Sequence, residues 1–224
     1  MTNQAALQKA EQEISEYFAR QIAARRQRPG EDLVSFLIEA RHPNGEMFSD
    51  RQVLGALRLL LIAGIDTTWS AIGASLWHLA THPDDRKRLV REPELIDTAI
   101  EEFLRAYAPV TMAREVVADT ELSGCSMRNG EMVMLSFPAA NRDPRKFADA
   151  DTVRIDRTEN PHVAFGLGIH RCIGSNLARM EMRIALAEWL KRIPDFALDR
   201  TRPMTWSEGA VRGPRLLPIV IESR

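Results

Sequence analysis

Cysteine is scarce in this chain: two residues among 224, Cys125 and Cys172, in unrelated local contexts. That excludes a disulfide framework and makes a reducing cytoplasm the expected home. The five histidines form no zinc-like set with the cysteines. Net charge is also scant: at -1, it gives no bulk attraction for nucleic acid or for an anionic membrane surface. The start, Met1-Thr-Asn-Gln-Ala, lacks the basic region and apolar core of a signal peptide. The apolar stretch Leu57 to Ile65 is interrupted by Arg58, so no membrane span is expected. Internal repeats and low-complexity tracts are missing as well. What remains is ordinary for a soluble globular protein, 45% hydrophobic and 27% charged, and long enough to bury a real core.

The most informative stretch is Pro161 to Asn176, a glycine-punctuated loop that ends in Cys172 and runs into a helical pattern, Leu177 to Leu190. A thiol at a helix N-terminus faces unpaired N–H groups and the positive end of the dipole, and both favour the thiolate. Gly166 and Gly168 can take backbone angles closed to other residues, and Gly174 lets a flat partner approach the backbone. A lone thiolate presented in this way suits an axial haem ligand. The competing reading is a buried structural cysteine beside a glycine turn.

Helical spacing marks residues 5–26, a short helix capped by Asp32, and a long helix opened by the capping box Ser49-x-x-Gln52 and running to about Leu79. In the middle of that helix stands Ala63-Gly-Ile-Asp-Thr-Thr68, a poor choice for a buried helix. Small residues at 63 and 64 would let a ligand lie against the backbone. The acid–alcohol pair Asp66-Thr67 could relay protons, and a Thr hydroxyl there can bond back and distort the ladder. Further helices are expected at 84–91 and 94–107; Glu102 and Arg105 share a face of the second, where an exposed pair would be worth only a few tenths of a kcal/mol. Alternation over Val116 to Leu122 and at Met132 to Ser136 predicts strands, with turns at Gly124-Cys-Ser and Asn129-Gly130. Asp195 to Leu198 and Leu216 to Ile221 are strand-like, joined by a Pro/Gly-rich excursion.

The spacing Phe165-x-x-Gly168-x-x-x-Cys172-x-Gly174 resembles the haem-binding loop of the cytochrome P-450 family of haem-thiolate monooxygenases. Ala63 to Thr68 resembles that family's oxygen-activation motif, and Glu102-x-x-Arg105 its Glu-x-x-Arg motif, in the family's order. The resemblance runs from about residue 5 to the end. It implies a mainly α fold with small β-sheets, the C-terminal part of the cytochrome P-450 fold, with a long central helix over a Cys-ligand loop. The implied cofactor is heme b (iron protoporphyrin IX). Cys172 would ligate its iron, with Ala63, Gly64, Phe165, Gly166 and Gly174 lining the site. Asp66 and Thr67 would deliver protons during oxygen activation. Arg114 and His170 would hold the two propionates. Glu102 and Arg105 would join a buried network with Arg157, Arg154 being the alternative third member. A ferredoxin-type electron donor would dock near the Cys loop. Arg171, Arg179 and Arg183 suit that face and suit a solvated helix side equally well. The substrate would be a small apolar molecule hydroxylated at carbon, and the soluble type looks bacterial. Family members are nearly twice as long, so residues 1–224 are expected to be the C-terminal portion of a single domain. Two functions follow: a haem-dependent monooxygenase, or a truncated, non-catalytic remnant or haem-binding fragment that needs its N-terminal half.

Overall fold

The computed structural model describes residues 4–221. The chain divides into two compact units, one up to Ile65 and the other from Asp66. In the first unit, helix α1 (Gln4–Gln27) and helix α2 (Leu33–Glu39) precede the first half of helix α3 (Asp50–Thr81). The predicted caps form. Asp32 accepts from the Ser35 backbone N–H at 2.9 Å, and Arg25 Nε donates to the same carboxylate at 2.8 Å. Ser49 N–H donates to Gln52 Oε1 at 2.9 Å, closing the box that opens α3. The apolar stripes of these helices meet in a small core of Ile22, Ile38, Val53 and Leu57.

Helix α3 is unbroken through Ala63 to Thr68, without the interruption that the threonines could have produced. The unfavourable residues are tolerated because the segment is not a core: Ala63, Gly64 and Ile65 are exposed. By length and composition alone α3 could also cross a membrane, contrary to the expectation drawn from its interrupting charges. That expectation counted unbroken apolar residues, whereas a helix this long tolerates a charge or two in its apolar stretch. Its second half instead contributes to a protein core, burying Ala71, Ala74, Leu79 and Ala80.

The second unit is built round helix α5 (Ile96–Ala106) and, later, helix α7 (Ser175–Arg192), with α4 (Pro83–Arg91) alongside and a 3-10 turn at Pro93–Leu95. Ile100, Phe103 and Leu104 of α5 pack with Met182, Leu186 and Leu190 of α7 and with Leu79 and Leu89. Burying side chains of this size contributes roughly 1.5–3 kcal/mol each. His78 is buried between the Tyr107 hydroxyl (2.7 Å) and Asp85 (2.8 Å), so it ties α3 to α4 and to the end of α5. Burial, opposed by Asp85, pushes its pKa down.

The β structure departs from expectation. Strand β1 (Thr111–Glu115) lies wholly before the stretch where alternation predicted a strand, and of Val116 to Leu122 only β2 (Thr120–Leu122) forms one. Val116 leaves the ladder because its N–H and C=O are taken by the Gly130–Glu131 turn. Cys125 opens β3 (Cys125–Met127) rather than lying in the turn, which is made by Ser123 and Gly124, both at positive φ. Asn129-Gly130 does not close a hairpin of neighbours: the following strand β4 (Met132–Ser136) pairs with β1, Arg114 opposite Val133. A short helix, α6 (Phe137–Ala140), follows β4. The supposed excursion after residue 200 is itself a hairpin, β6 (Thr205–Glu208) with β7 (Arg212–Leu216), set between β5 (Phe196–Leu198) and β8 (Ile219–Ile221). Leu217-Pro218 splits the run that read as one strand, because proline cannot donate to a ladder. The β6–β7 hairpin lies hard against α3. A Cβ on Gly213 would fall 2.5 Å from the Ser70 Cβ, and one on Gly73 2.8 Å from Pro214 Cγ. Only glycine fits at either place.

Candidate functional site

Glu102 and Arg105 stand one turn apart on α5, and the core closes over both: each side chain is 0% exposed. Burying charges is costly unless every donor and acceptor is used. Here every one is. Arg105 forks onto Glu102 with Nε and Nη2, both at 2.8 Å. Its remaining hydrogens reach the carbonyls of Asn141 (2.9 Å), Ala150 (2.7 Å) and Thr152 (3.0 Å). Arg157 Nε adds a bond to Glu102 at 3.0 Å, and Asn160 Nδ2 another at 3.2 Å. Arg154 also reaches this carboxylate, but through its backbone N–H at 2.8 Å, its side chain pointing to solvent. Both arginines considered for the third place therefore meet Glu102, and only Arg157 does so with its guanidinium. Burial acts to raise the Glu102 pKa; the guanidinium of Arg105 and the Arg154 amide outweigh it and hold it below the usual range. The network anchors the irregular segment 141–160 to α5, and that segment leads into the glycine loop.

In the loop, Gly166 and Gly168 have φ of 68° and 67°, the left-handed angles that glycine allows. These two turns bring the Cys172 N–H back to the Phe165 carbonyl at 2.8 Å. Phe137 of α6 packs beneath Gly166. Cys172 lies exposed three residues before α7, whose first turn has no side-chain cap. It is not a buried structural cysteine. A Cβ on Gly174 would meet only the Cys172 sulfur, at 4.0 Å, so this side of the loop is open. Three apolar side chains of the loop face outward: Ile169 is 98% exposed, Ile173 87% and Leu167 72%.

Arg114 sits on β1, and its Nη1 donates to the neighbouring Ala113 carbonyl at 2.8 Å. Among the described residues no carboxylate forms a salt bridge with it. His170 ends a 3-10 turn two residues before Cys172 and is exposed. Asp66 and Thr67 are half-buried on α3, and Arg215 of β7 grips both oxygens of the Asp66 carboxylate, Nη2 to Oδ2 at 3.0 Å. Ala63 and Gly64 precede them in the other unit; a methyl on Gly64 would meet nothing within 4 Å.

Sequence reasoning missed three participants. Arg215 was read as part of an irregular tail. Glu101, beside the Glu-x-x-Arg glutamate, takes a fork from Arg179 of α7 (2.6 and 2.8 Å) and a bond from His162 at 2.9 Å. Arg179 also lies over the Phe165 ring, 4.6 Å from its centroid, so it is tied to Glu101 and to the glycine loop. Arg183, by contrast, pairs with Asp97 at the surface. His162 Nδ1 also accepts from the Ala164 N–H at 3.2 Å, so the Glu101 contact leaves both ring nitrogens engaged.

These parts fit a haem. An exposed soft donor, a cation with no carboxylate partner among the described residues, an exposed imidazole and an apolar rim are what an iron porphyrin with two carboxylates requires.

Comparison with known proteins gives the same answer. The cytochrome P450 family profile matches residues 2–193. The mycinamicin IV hydroxylase/epoxidase of Micromonospora griseorubida is 39% identical over 220 residues, which cover 96% of this chain and 55% of that protein. The structure of CYP109E1 from Bacillus megaterium in complex with testosterone superposes with a TM-score of 0.91 at 37% identity, covering 97% of this chain and 61% of that one. For the polyketide synthase cytochrome P450 PksS of Bacillus subtilis 168 the TM-score is 0.92 at 35% identity, with 100% and 59% covered. The chain spans about half the length of the curated relatives it matches, and its mainly helical fold with small sheets corresponds to the C-terminal part of the cytochrome P450 fold. Cytochromes P450 hold heme b through a cysteine. From the glycine loop, the buried glutamate network and these likenesses together, this chain belongs to the cytochrome P450 family.

Proposed function

We propose that the chain carries the thiolate side of a haem-dependent monooxygenase, and that residues 1–224 are the C-terminal portion of one cytochrome P450 domain. The observation that carries this reading is Cys172: exposed, set by two left-handed glycines at the mouth of α7, with the buried Glu102–Arg105 pair and Arg157 holding the preceding segment. Haem, when bound through a thiolate, supplies one-electron chemistry and favours O–O cleavage. The protein's own groups do the rest. Cys172 donates its sulfur to the iron. Arg114 and His170 give charge-assisted bonds to the propionates. Phe165, Gly166 and Gly174 form the wall beside the sulfur, and Ala63 and Gly64 offer a small-residue helix surface of their own. Asp66 and Thr67 hold and pass protons, with Arg215 fixing the orientation of the Asp66 carboxylate. Glu102, Arg105 and Arg157 keep the loop's supporting segment in place. The substrate class is a small apolar organic molecule; the relatives' own descriptions speak of mycinamicin IV and of testosterone. Electrons would come from a ferredoxin-type donor.

A second reading has its own support: the chain binds haem only with an N-terminal half supplied separately. The exposed apolar rim, Leu167, Ile169, Ile173, Leu177, Met180 and Ile184, favours it, because apolar patches of this extent are normally covered. The ligand assignment is tested by substitution. Cys172→Ser should abolish the red-shifted Soret band of the ferrous–CO form, while Cys125→Ser leaves it unchanged; equal effects would refute the assignment.

A further inference from the structure

Glu101 lies one residue from the buried network yet belongs to none of it. Its carboxylate is half-buried, and it receives three directed bonds from two elements: Arg179 Nε (2.6 Å) and Nη2 (2.8 Å) from α7, and His162 Nε2 (2.9 Å) from the segment entering the glycine loop. Because Ala164 N–H donates to His162 Nδ1, the ring hydrogen is on Nε2 and points at Glu101. Arg179 in turn spreads its guanidinium over Phe165, whose carbonyl holds the Cys172 amide at 2.8 Å. An unbroken chain of contacts thus runs from α5 through Glu101, Arg179 and Phe165 to the backbone of Cys172. A second branch, through His162, fixes the loop's entry. Arg179 is also close enough to feel the Cys172 sulfur electrostatically.

We infer that Glu101 is a positioning residue for Cys172: it clamps the glycine loop between α5 and α7 and cancels the Arg179 charge beside the sulfur. The inference rests on the haem-thiolate reading for its consequence, though not for the clamp itself. Burial opposes ionisation of Glu101, but Arg179 and His162 outweigh it and hold the group at about 2, so it is anionic at any working pH. A bidentate fork, unlike a point charge, also fixes direction. Any added electron on an iron held by Cys172 is stabilised by uncompensated positive charge nearby and destabilised by negative charge.

The 224-residue chain is the sample, with Glu101→Gln, Arg179→Met and the double variant beside it. In the haem-free proteins, hydrogen exchange at the Gly166–Cys172 amides should quicken about tenfold or more in Glu101→Gln. The amide of Arg154, which bonds Glu102, should be unaffected. Unchanged loop exchange, or equal acceleration at both places, would overturn the clamp. In the haem-loaded proteins, the ferric–ferrous potential is titrated with dithionite and mediators. Glu101→Gln should raise it, Arg179→Met lower it, and the double variant return it toward the parent. Shifts of the same sign would show mere loosening and overturn the charge role. If the parent takes up no haem, the haem-thiolate reading fails for this chain, while the exchange result still decides the clamp.

Discussion

Two faces of the unit from Asp66 onward reverse the usual order of a protein. Inside it, Glu102 and Arg105 are 0% exposed, with Arg157 at 6%. Outside it, round Cys172, stand isoleucines and leucines with open surface before them. Charge is buried where apolar groups would be less costly, and apolar groups are exposed where charge would be soluble. The difference lies in satisfaction. Every hydrogen of Arg105 has an acceptor within the chain, so the Glu102–Arg105 pair at the centre of the network is satisfied. The Cys172 face presents an exposed thiol and an exposed apolar rim. One region is closed over by its own chain; the other is exposed.

The contrast can be broken most violently from inside. Glu102→Ala leaves two buried guanidinium groups without their anion and should cost ~3–5 kcal/mol, read as a large fall in Tm or a failure to fold. Acid attacks the same region more gently. Glu101 has a folded pKa of about 2 against an ordinary 4.5. Its contribution is therefore fully present above about pH 4.5 and lost as pH falls toward 2. That contribution is on the order of 2 kcal/mol, discounted for partial exposure. A stability profile flat from pH 5 down to 2 would argue against it. The outer face should respond least. Ile169→Ser with Ile173→Ser should change unfolding free energy by less than about 0.5 kcal/mol each, yet reduce self-association measured by light scattering. A large stability loss there would mean that the rim is packed after all.

Legibility in the sequence followed the same division. The loop, the central hexapeptide and the Glu-x-x-Arg pair could be read because their chemistry is local: glycines at fixed offsets from a thiol, an acid beside an alcohol, two charges one helical turn apart. Helix ends at Asp32 and Ser49 were readable for the same reason, since a cap is made by residues three apart. The Arg215–Asp66 pair was not, because 149 residues separate the partners and nothing near either one announces the other. Arg179 and Glu101, 78 residues apart, were hidden likewise, so Arg179 looked like a surface cation. The β segments misled because alternation alone cannot say which strand a segment will pair with. Val116 lost its place to a turn, and β4 found β1 rather than its sequence neighbour.

The central claim is that Cys172 and its surroundings are a haem-thiolate site, and one spectrum addresses it. Residues 1–224 are expressed, supplied with haem, reduced and exposed to carbon monoxide. The account predicts the red-shifted Soret band of a thiolate-ligated ferrous–CO haem. A band lacking the thiolate shift would contradict it, and colourless, haem-free protein would contradict the claim that this chain alone is a haem enzyme.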